Sequence, residues 1–173
     1  MKTTKKGFTL IELIVVIAII GVLAMILVPS MLGYVRKSKV SSANSAAATV
    51  QKAMNTSLIE LDEEGKLSAD GSVDYTVAAG VDIAKGSEGP GLQSKLKQYL
   101  DDYSKTSFHF SAHIIGGVCD AVAATADNVY VGTYPSGIVT ADNVKGNYDS
   151  GSNSLGAALT AAKAKVTQNK EGK

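Results

Sequence analysis

The chain begins with a strongly apolar stretch, and the spacing of its hydrophobic positions changes about thirty residues in. From Phe8 to Leu32 most residues are apolar, and the part from Leu13 to Val28 has no charged side chain. A helix over residues 8–32 would be about 37 Å long, enough to cross a hydrocarbon layer of about 30 Å. The pattern therefore predicts a membrane-spanning helix.

Beyond Pro29 the apolar positions recur every three or four residues, which is the period of one helix face. The residues between them are small or polar, so this half is predicted to be amphipathic, with one face against a core. Gly65 follows Glu63 and Glu64 and is a suitable C-cap. We therefore predict a second helix half at 33–64. Its apolar stripe comprises Val40, Ala43, Ala47, Val50, Met54, Leu58 and Leu61.

The remaining chain, 65–173, is predicted to form a globular head. Short alternating stretches separated by Gly, Pro, Asn and Asp indicate an antiparallel meander, and a glycine cluster at 86–91 is typical of a linker. The predicted fold class is α+β, with a long N-terminal helix packed on a small antiparallel β-sheet and a short C-terminal helix. Strands are predicted at 73–77, 108–114, 118–123, 129–134 and 138–140, and helices at 92–103 and 155–166.

Few residues of the head are candidates for chemistry. His109 and His113 alternate with apolar neighbours, so we place both on the outer or edge-facing side of a half-buried strand, as polar residues rather than metal ligands. Cys119 is the one cysteine, so no intramolecular disulfide can form, and we interpret it as a small buried residue. The loop 142–153 is rich in Asp and Asn, which favours turns, with calcium as the alternative. We expect no metal, no cofactor and no enzyme.

The charge balance argues against nucleic acid as a partner. The chain carries 17 Lys and Arg against 16 Asp and Glu, a net charge of +1, without a long basic run. A duplex-binding protein needs clustered cations to displace counterions. A membrane is the better candidate, because the apolar residues are concentrated at one end.

The first seven residues contain Lys2, Lys5 and Lys6 directly before the apolar stretch. This order resembles a secretory signal, but no small-x-small cleavage site follows the apolar core. The lysines should stay on the cytoplasmic side, which places the rest of the chain outside as a single-pass protein. A plain membrane anchor is the simplest interpretation.

Glu12 is the residue that a plain anchor does not explain. An ionised carboxylate near the hydrocarbon region costs a few kcal/mol and needs a partner. A cut between Gly7 and Phe8 would expose an α-amine four residues before Glu12, on the same helical face. With a reference pKa near 8, that amine would be largely cationic and able to neutralise Glu12 of its own or a neighbouring chain.

The segment Lys5-Lys6-Gly7-Phe8-Thr9-Leu10-Ile11-Glu12-Leu13 resembles the type III signal of type IV prepilins and pseudopilins. The resemblance implies a leader at 1–7, a cut after Gly7 by prepilin peptidase, N-methylation of Phe8, and an assembly role for Glu12. It also implies that Gly21 to Pro29 is an extensible stretch of helix. Many family members carry a disulfide in the head, which this chain cannot form with one cysteine. The resemblance implies that heads without a disulfide are commoner in Gram-positive lineages.

The resemblance implies a homopolymer that assembles through its N-terminal helix. The precursor would sit in the cytoplasmic membrane, and type IV pilus machinery would build it into an extracellular filament for adhesion, surface motility or aggregation. The alternatives are a pseudopilin of a secretion or DNA-uptake apparatus and a minor pilin. A membrane-anchored enzyme is disfavoured, because the sequence contains no recognisable catalytic constellation.

Overall fold

A computed structural model describes residues 7–66, 72–77, 89–100, 107–127, 129–144, 148 and 151–172. The chain divides into two compact units, Met1–Arg36 and Lys37–Lys173. The apolar segment makes up most of the first unit. The second unit contains the sheet and the helices that cover it.

The first helix, α1, runs from Leu10 to Glu63 without interruption and includes Pro29. It ends at Gly65, whose φ of 66° is in the left-handed region that favours glycine. The amide of Lys66 donates to the carbonyl of Leu61 at 2.8 Å, and that of Gly65 to Asp62 at 2.9 Å. These two bonds form a Schellman motif, which confirms the predicted C-cap.

The head contains one antiparallel sheet of four strands in the order β1-β2-β3-β4. The strand pairs are consecutive in sequence, as a meander requires, and Gly116 and Gly117, both with positive φ, connect β2 to β3. The predicted strand at 138–140 is wrong. Val139 is buried there, but its carbonyl accepts a hydrogen bond from the side-chain amide of Asn44 at 3.4 Å. The strands are β1 (Ser72–Val77), β2 (His109–Ile115), β3 (Val118–Thr125) and β4 (Val131–Tyr134).

Helices cover both faces of this sheet. On one face the second half of α1 and the short helix α2 (Gly89–Tyr99) pack against Phe110 and Val122. On the other face the C-terminal helix α3 (Gly151–Glu171) packs against Ala121 and Ala123. The expectation of a half-buried β2 is therefore wrong, since its central five residues are all buried. Gly89 to Gly91 form the first turn of α2, so this part of the predicted linker is helical.

The backbones of α1 and β4 touch at Gly132. A Cβ on Gly132 would lie 2.0 Å from the carbonyl carbon of Ala43 and 2.1 Å from the amide nitrogen of Asn44. The side-chain oxygen of Asn44 accepts a hydrogen bond from the amide of Thr133 at 2.8 Å. Glycine is therefore needed at this position, because only a residue without a side chain allows the helix so close to the strand.

A β-bulge interrupts the pairing of β2 and β3 at the point where a side chain of α1 forms hydrogen bonds with the backbone of β3. The register shifts between His113 and Ile114, so Asp120 has no opposite residue. The amide of Cys119 donates to Asn55 Oδ1 at 2.7 Å, and the Asn55 amide group donates back to the carbonyl of Cys119 at 3.3 Å. The helix thus satisfies backbone groups that the irregular ladder leaves unpaired.

The structure corrects the placement of His113. Its side chain is only 9 % exposed and lies inside the head, with Nδ1 2.6 Å from Asp120 Oδ1. Lys170 of α3 reaches the other oxygen of Asp120 at 3.2 Å. The prediction placed His113 on an outer surface, but α3 covers that face of the sheet.

Candidate functional site

The predicted cleavage point lies immediately before the first helix. Gly7 and Phe8 have no helical or strand conformation, and the Phe8 side chain is 94 % exposed. A side chain at Gly7 would meet no atom within 4 Å. The peptide bond between the two residues is therefore accessible. Leader residues 1–6 lie outside the described part of the chain.

Thr9 and Glu12 together cap the N-terminus of α1. Glu12 Oε2 accepts hydrogen bonds from the Thr9 amide at 2.8 Å and from the Thr9 hydroxyl at 2.7 Å. In return the Glu12 amide donates to the Thr9 hydroxyl oxygen at 3.3 Å. This reciprocal arrangement is a capping box. This cap was not predicted from the sequence, although the Thr-x-x-Glu spacing before an apolar run is its sequence signal.

The surface of α1 that follows is apolar all round and uncovered. Every large apolar side chain from Phe8 to Val35 is between 41 % and 94 % exposed. Within the described residues, α1 is the helix with the length and composition to cross a membrane, with a mean hydropathy of 3.2 over its most apolar window. Such a surface is stable only in lipid or against other apolar helices.

Gly21 and Pro29 both lie within α1, which continues helically past them. A Cβ at Gly21 would meet nothing within 4 Å. Pro29 has no amide hydrogen, so the carbonyl of Met25 lacks its usual helical donor. The helical segment between Gly21 and Pro29 therefore lacks one backbone hydrogen bond at its C-terminal end.

The candidate ligand positions of the head make other contacts. Asn143 lies in the loop that was predicted to form turns, with calcium binding as the alternative. Its side chain accepts from the amide of Thr140 and donates to the carbonyl of Ile138, each at 2.7 Å. This is turn chemistry. Among the described residues, which omit much of that loop, no three His, Cys, Asp or Glu side chains lie close enough together to hold an ion.

Comparison with known families identifies the N-terminal segment. The family described as "Prokaryotic N-terminal methylation motif" matches residues 2–28. This range contains the predicted leader boundary, the capping box and most of the apolar part of α1. No solved structure matches the chain significantly.

Several curated fimbrial proteins are similar to this chain over part of their length. The type IV major fimbrial protein FimA of Dichelobacter nodosus is 46% identical over 66 residues, which is 38% of this chain and 42% of that protein. The fimbrial protein of Moraxella nonliquefaciens is 44% identical over 85 residues, 49% and 51% of the two chains. The type IV major alpha-pilin of Moraxella bovis is 45% identical over 56 residues, 32% and 35%. The chain thus spans about half or less of each of these relatives.

The long N-terminal helix, the antiparallel sheet packed on its second half, and the methylation motif at its start define a protein with the pilin fold. The predicted fold class is confirmed. Over part of its length the chain is also similar to named type IV fimbrial proteins and to a type IV pilin.

Proposed function

We propose that this chain is the precursor of a structural pilin that is cut between Gly7 and Phe8 and polymerises into an extracellular type IV pilus. The observation that carries the proposal is the exposed apolar surface of α1 directly after an accessible Gly7–Phe8 bond. Prepilin peptidase makes the cut, and Phe8 becomes the methylated N-terminus. The membrane holds the precursor with its head outward until the pilus machinery extracts it.

Glu12 guides assembly through its charge. The capping box uses Oε2 for both hydrogen bonds from Thr9, so Oε1 remains to receive a cation. The cut supplies that cation as the α-amine of Phe8, on the same or a neighbouring chain. It also removes three lysines, which would oppose passage of the helix through lipid and into a bundle.

The cut is tested with Gly7→Val. A branched side chain at this position should block the peptidase, so the precursor stays in the membrane with its leader attached. N-terminal sequencing of the membrane fraction checks this, with Gly33→Val as a control at an exposed glycine of α1. A mature N-terminus beginning at Phe8 in the Gly7 variant would refute the assigned site.

The charge of Glu12 is tested with Glu12→Gln beside Glu12→Ala. The glutamine carbonyl can still accept from Thr9, so this variant keeps the cap and loses only the charge. We expect both variants to be cut and both to assemble poorly in cells that lack wild-type subunits. Normal filament yield from Glu12→Gln would mean that capping alone explains this residue.

The segment between Gly21 and Pro29 is proposed to unwind when subunits pack. Its support is the missing amide of Pro29 and the absence of packing around Gly21. Hydrogen exchange of residues 22–28 should be faster in filaments than in the membrane-bound precursor. Equal protection in both states would contradict the proposal.

A structural pilin is favoured over a pseudopilin because the relatives above carry the names of major fimbrial proteins and a major pilin. Filaments sheared from the cell surface should then contain this chain as an abundant component, with Phe8 first and methylated. Mass spectrometry measures identity, abundance and mature N-terminus together. Its absence from sheared filaments of a piliated cell would rule out the structural role.

A further inference from the structure

A cluster of three cationic residues follows the apolar part of α1. Between Glu12 and Glu60 the sequence contains no Asp or Glu, and its charged residues there are Arg36, Lys37, Lys39 and Lys52. Three of these four cations occur within four residues, shortly after the apolar run ends. Tyr34, which is 75 % exposed, lies just before them. Tyrosine followed by Lys or Arg is typical of the boundary between lipid and water.

The structure places Lys37 where the core of the head begins. With the head taken as the whole second unit, Lys37–Lys173, its first buried residue is Val40, with 4 % exposed. Lys37 precedes Val40 by three residues on the same helix face. Lys37 is nevertheless exposed. The head therefore starts to cover this face of α1 between the two residues.

The loop between β3 and β4 lies beside the same turn of α1. Lys39 Nζ is 3.9 Å from Asp127 Oδ2, and Asp127 Oδ1 accepts hydrogen bonds from the amides of Val129 at 3.0 Å and Tyr130 at 2.9 Å. These bonds fix the loop, while the Val129 side chain is 50 % exposed. The end of the head at which the chain enters thus carries two exposed lysines and an exposed valine.

We propose that this end of the head, formed by Lys37, Lys39 and Val129, rests on anionic phospholipid headgroups while the precursor is in the membrane. The inference rests on the proposed membrane-spanning precursor. Lysines attract the phosphates, and Val129 contacts the apolar boundary below them. Lys37 and Lys39 are two residues apart, about 200° around the helix. A ring of lipid headgroups can contact both sides of a helix at once, whereas a partner docked on one face cannot.

The test uses the full-length precursor in vesicles and a fluorophore on Val129→Cys. Cys119 is completely buried and should stay unlabelled. The quencher is a nitroxide on the lipid headgroup. The vesicles contain phosphatidylcholine alone or with phosphatidylglycerol. The control reporter is Ile59→Cys, an exposed position of α1 about 28 Å beyond Val40.

We expect the Val129 reporter to be quenched more strongly in the anionic vesicles, and the Ile59 reporter to be quenched weakly in both. Lys37→Gln with Lys39→Gln should reduce the quenching several-fold, and Lys52→Gln on the same helix should leave it unchanged. Salt at about 1 M, where the Debye length is about 3 Å, should have the effect of the double variant.

Two results would overturn the inference. Equal quenching of the two reporters, or quenching independent of lipid charge and of both lysines, would show that the head does not rest on lipid. Alkaline carbonate extraction of the same vesicles separates this failure from a failure of the proposed function. A chain that resists extraction still spans the bilayer, so only the proposed lipid contact is refuted. A chain that is released does not span the bilayer, so both the membrane-spanning precursor and the lipid contact are refuted.

Discussion

Gly132→Ala is expected to weaken the head by forcing α1 and β4 apart. The added Cβ would lie 2.0 Å from the carbonyl carbon of Ala43 and 2.2 Å from its oxygen, where ordinary carbon contacts are about 3.5–4.0 Å. Both atoms belong to the helix backbone, so no side chain can rotate away. The helix and the strand must separate by more than about 1 Å.

The size of the effect follows from two costs. Overpacking of a tight contact costs about 1–3 kcal/mol. Separation also stretches the 2.8 Å hydrogen bond from the Thr133 amide to Asn44, whose loss costs about 1 kcal/mol. The free energy of unfolding should therefore fall by about 2–4 kcal/mol, a large part of the 5–15 kcal/mol that is usual for a domain of this kind (about 0.1 kcal/mol per residue).

Thermal unfolding of the full-length chain in detergent, followed by circular dichroism, measures this loss as a fall in Tm on the order of 10 °C. Gly156→Ala is the matched control. It lies on the exposed side of α3, its added Cβ would meet nothing within 4 Å, and a helical Ala should raise stability by up to about 1 kcal/mol. If Gly132→Ala melts at the wild-type temperature, the close contact of helix and strand does not exist.

Three further predictions concern hydrogen bonds and the cysteine. Asn55→Leu leaves the buried amide of Cys119 unpaired and should cost about 1–3 kcal/mol in the same unfolding assay; an unchanged Tm would mean that water replaces Asn55. Burial, with a smaller contribution from the charge of Asp120, raises the pKa of the Cys119 thiol from 9.0 to about 12. The unfolded chain therefore ionises first, so stability should fall as the pH rises between 9.0 and about 12, and Cys119→Ala should show a shallower fall. Thr9→Ala removes the cap of α1, worth about 1 kcal/mol, and should speed hydrogen exchange at Leu10 to Glu12 in the precursor; unchanged exchange would contradict the capping box.

The local patterns of this chain predict its helices well. The 3.6-residue period beyond Pro29 identifies the buried stripe of α1, and Gly65 marks its end, because both signals depend only on neighbours in sequence. The Thr-x-x-Glu pattern at residue 9 is equally local. The interpretation of Glu12 as a charge paired with the α-amine of Phe8 leaves out its hydrogen bonds to Thr9, and so does not predict the cap.

The errors concern contacts between residues far apart in sequence. Alternation along β2 indicates one buried face, and it contains no information about α3, which covers the other face and buries His113. Alanines at 121, 123 and 124 in β3 were the available signal, since small residues on both faces of a strand allow two close layers. The supposed strand at 138–140 is likewise held by Asn44, which lies 95 residues from its partner Val139.

The amide side chains of Asn44 and Asn55 bind the sheet to α1, Asn55 at the bulge in β3 and Asn44 at the close contact beside Gly132. A head closed in this manner needs no oxidant to mature. Folding of the head should therefore be the same without oxygen or in surroundings rich in thiols. Reducing agents should leave its thermal unfolding unchanged.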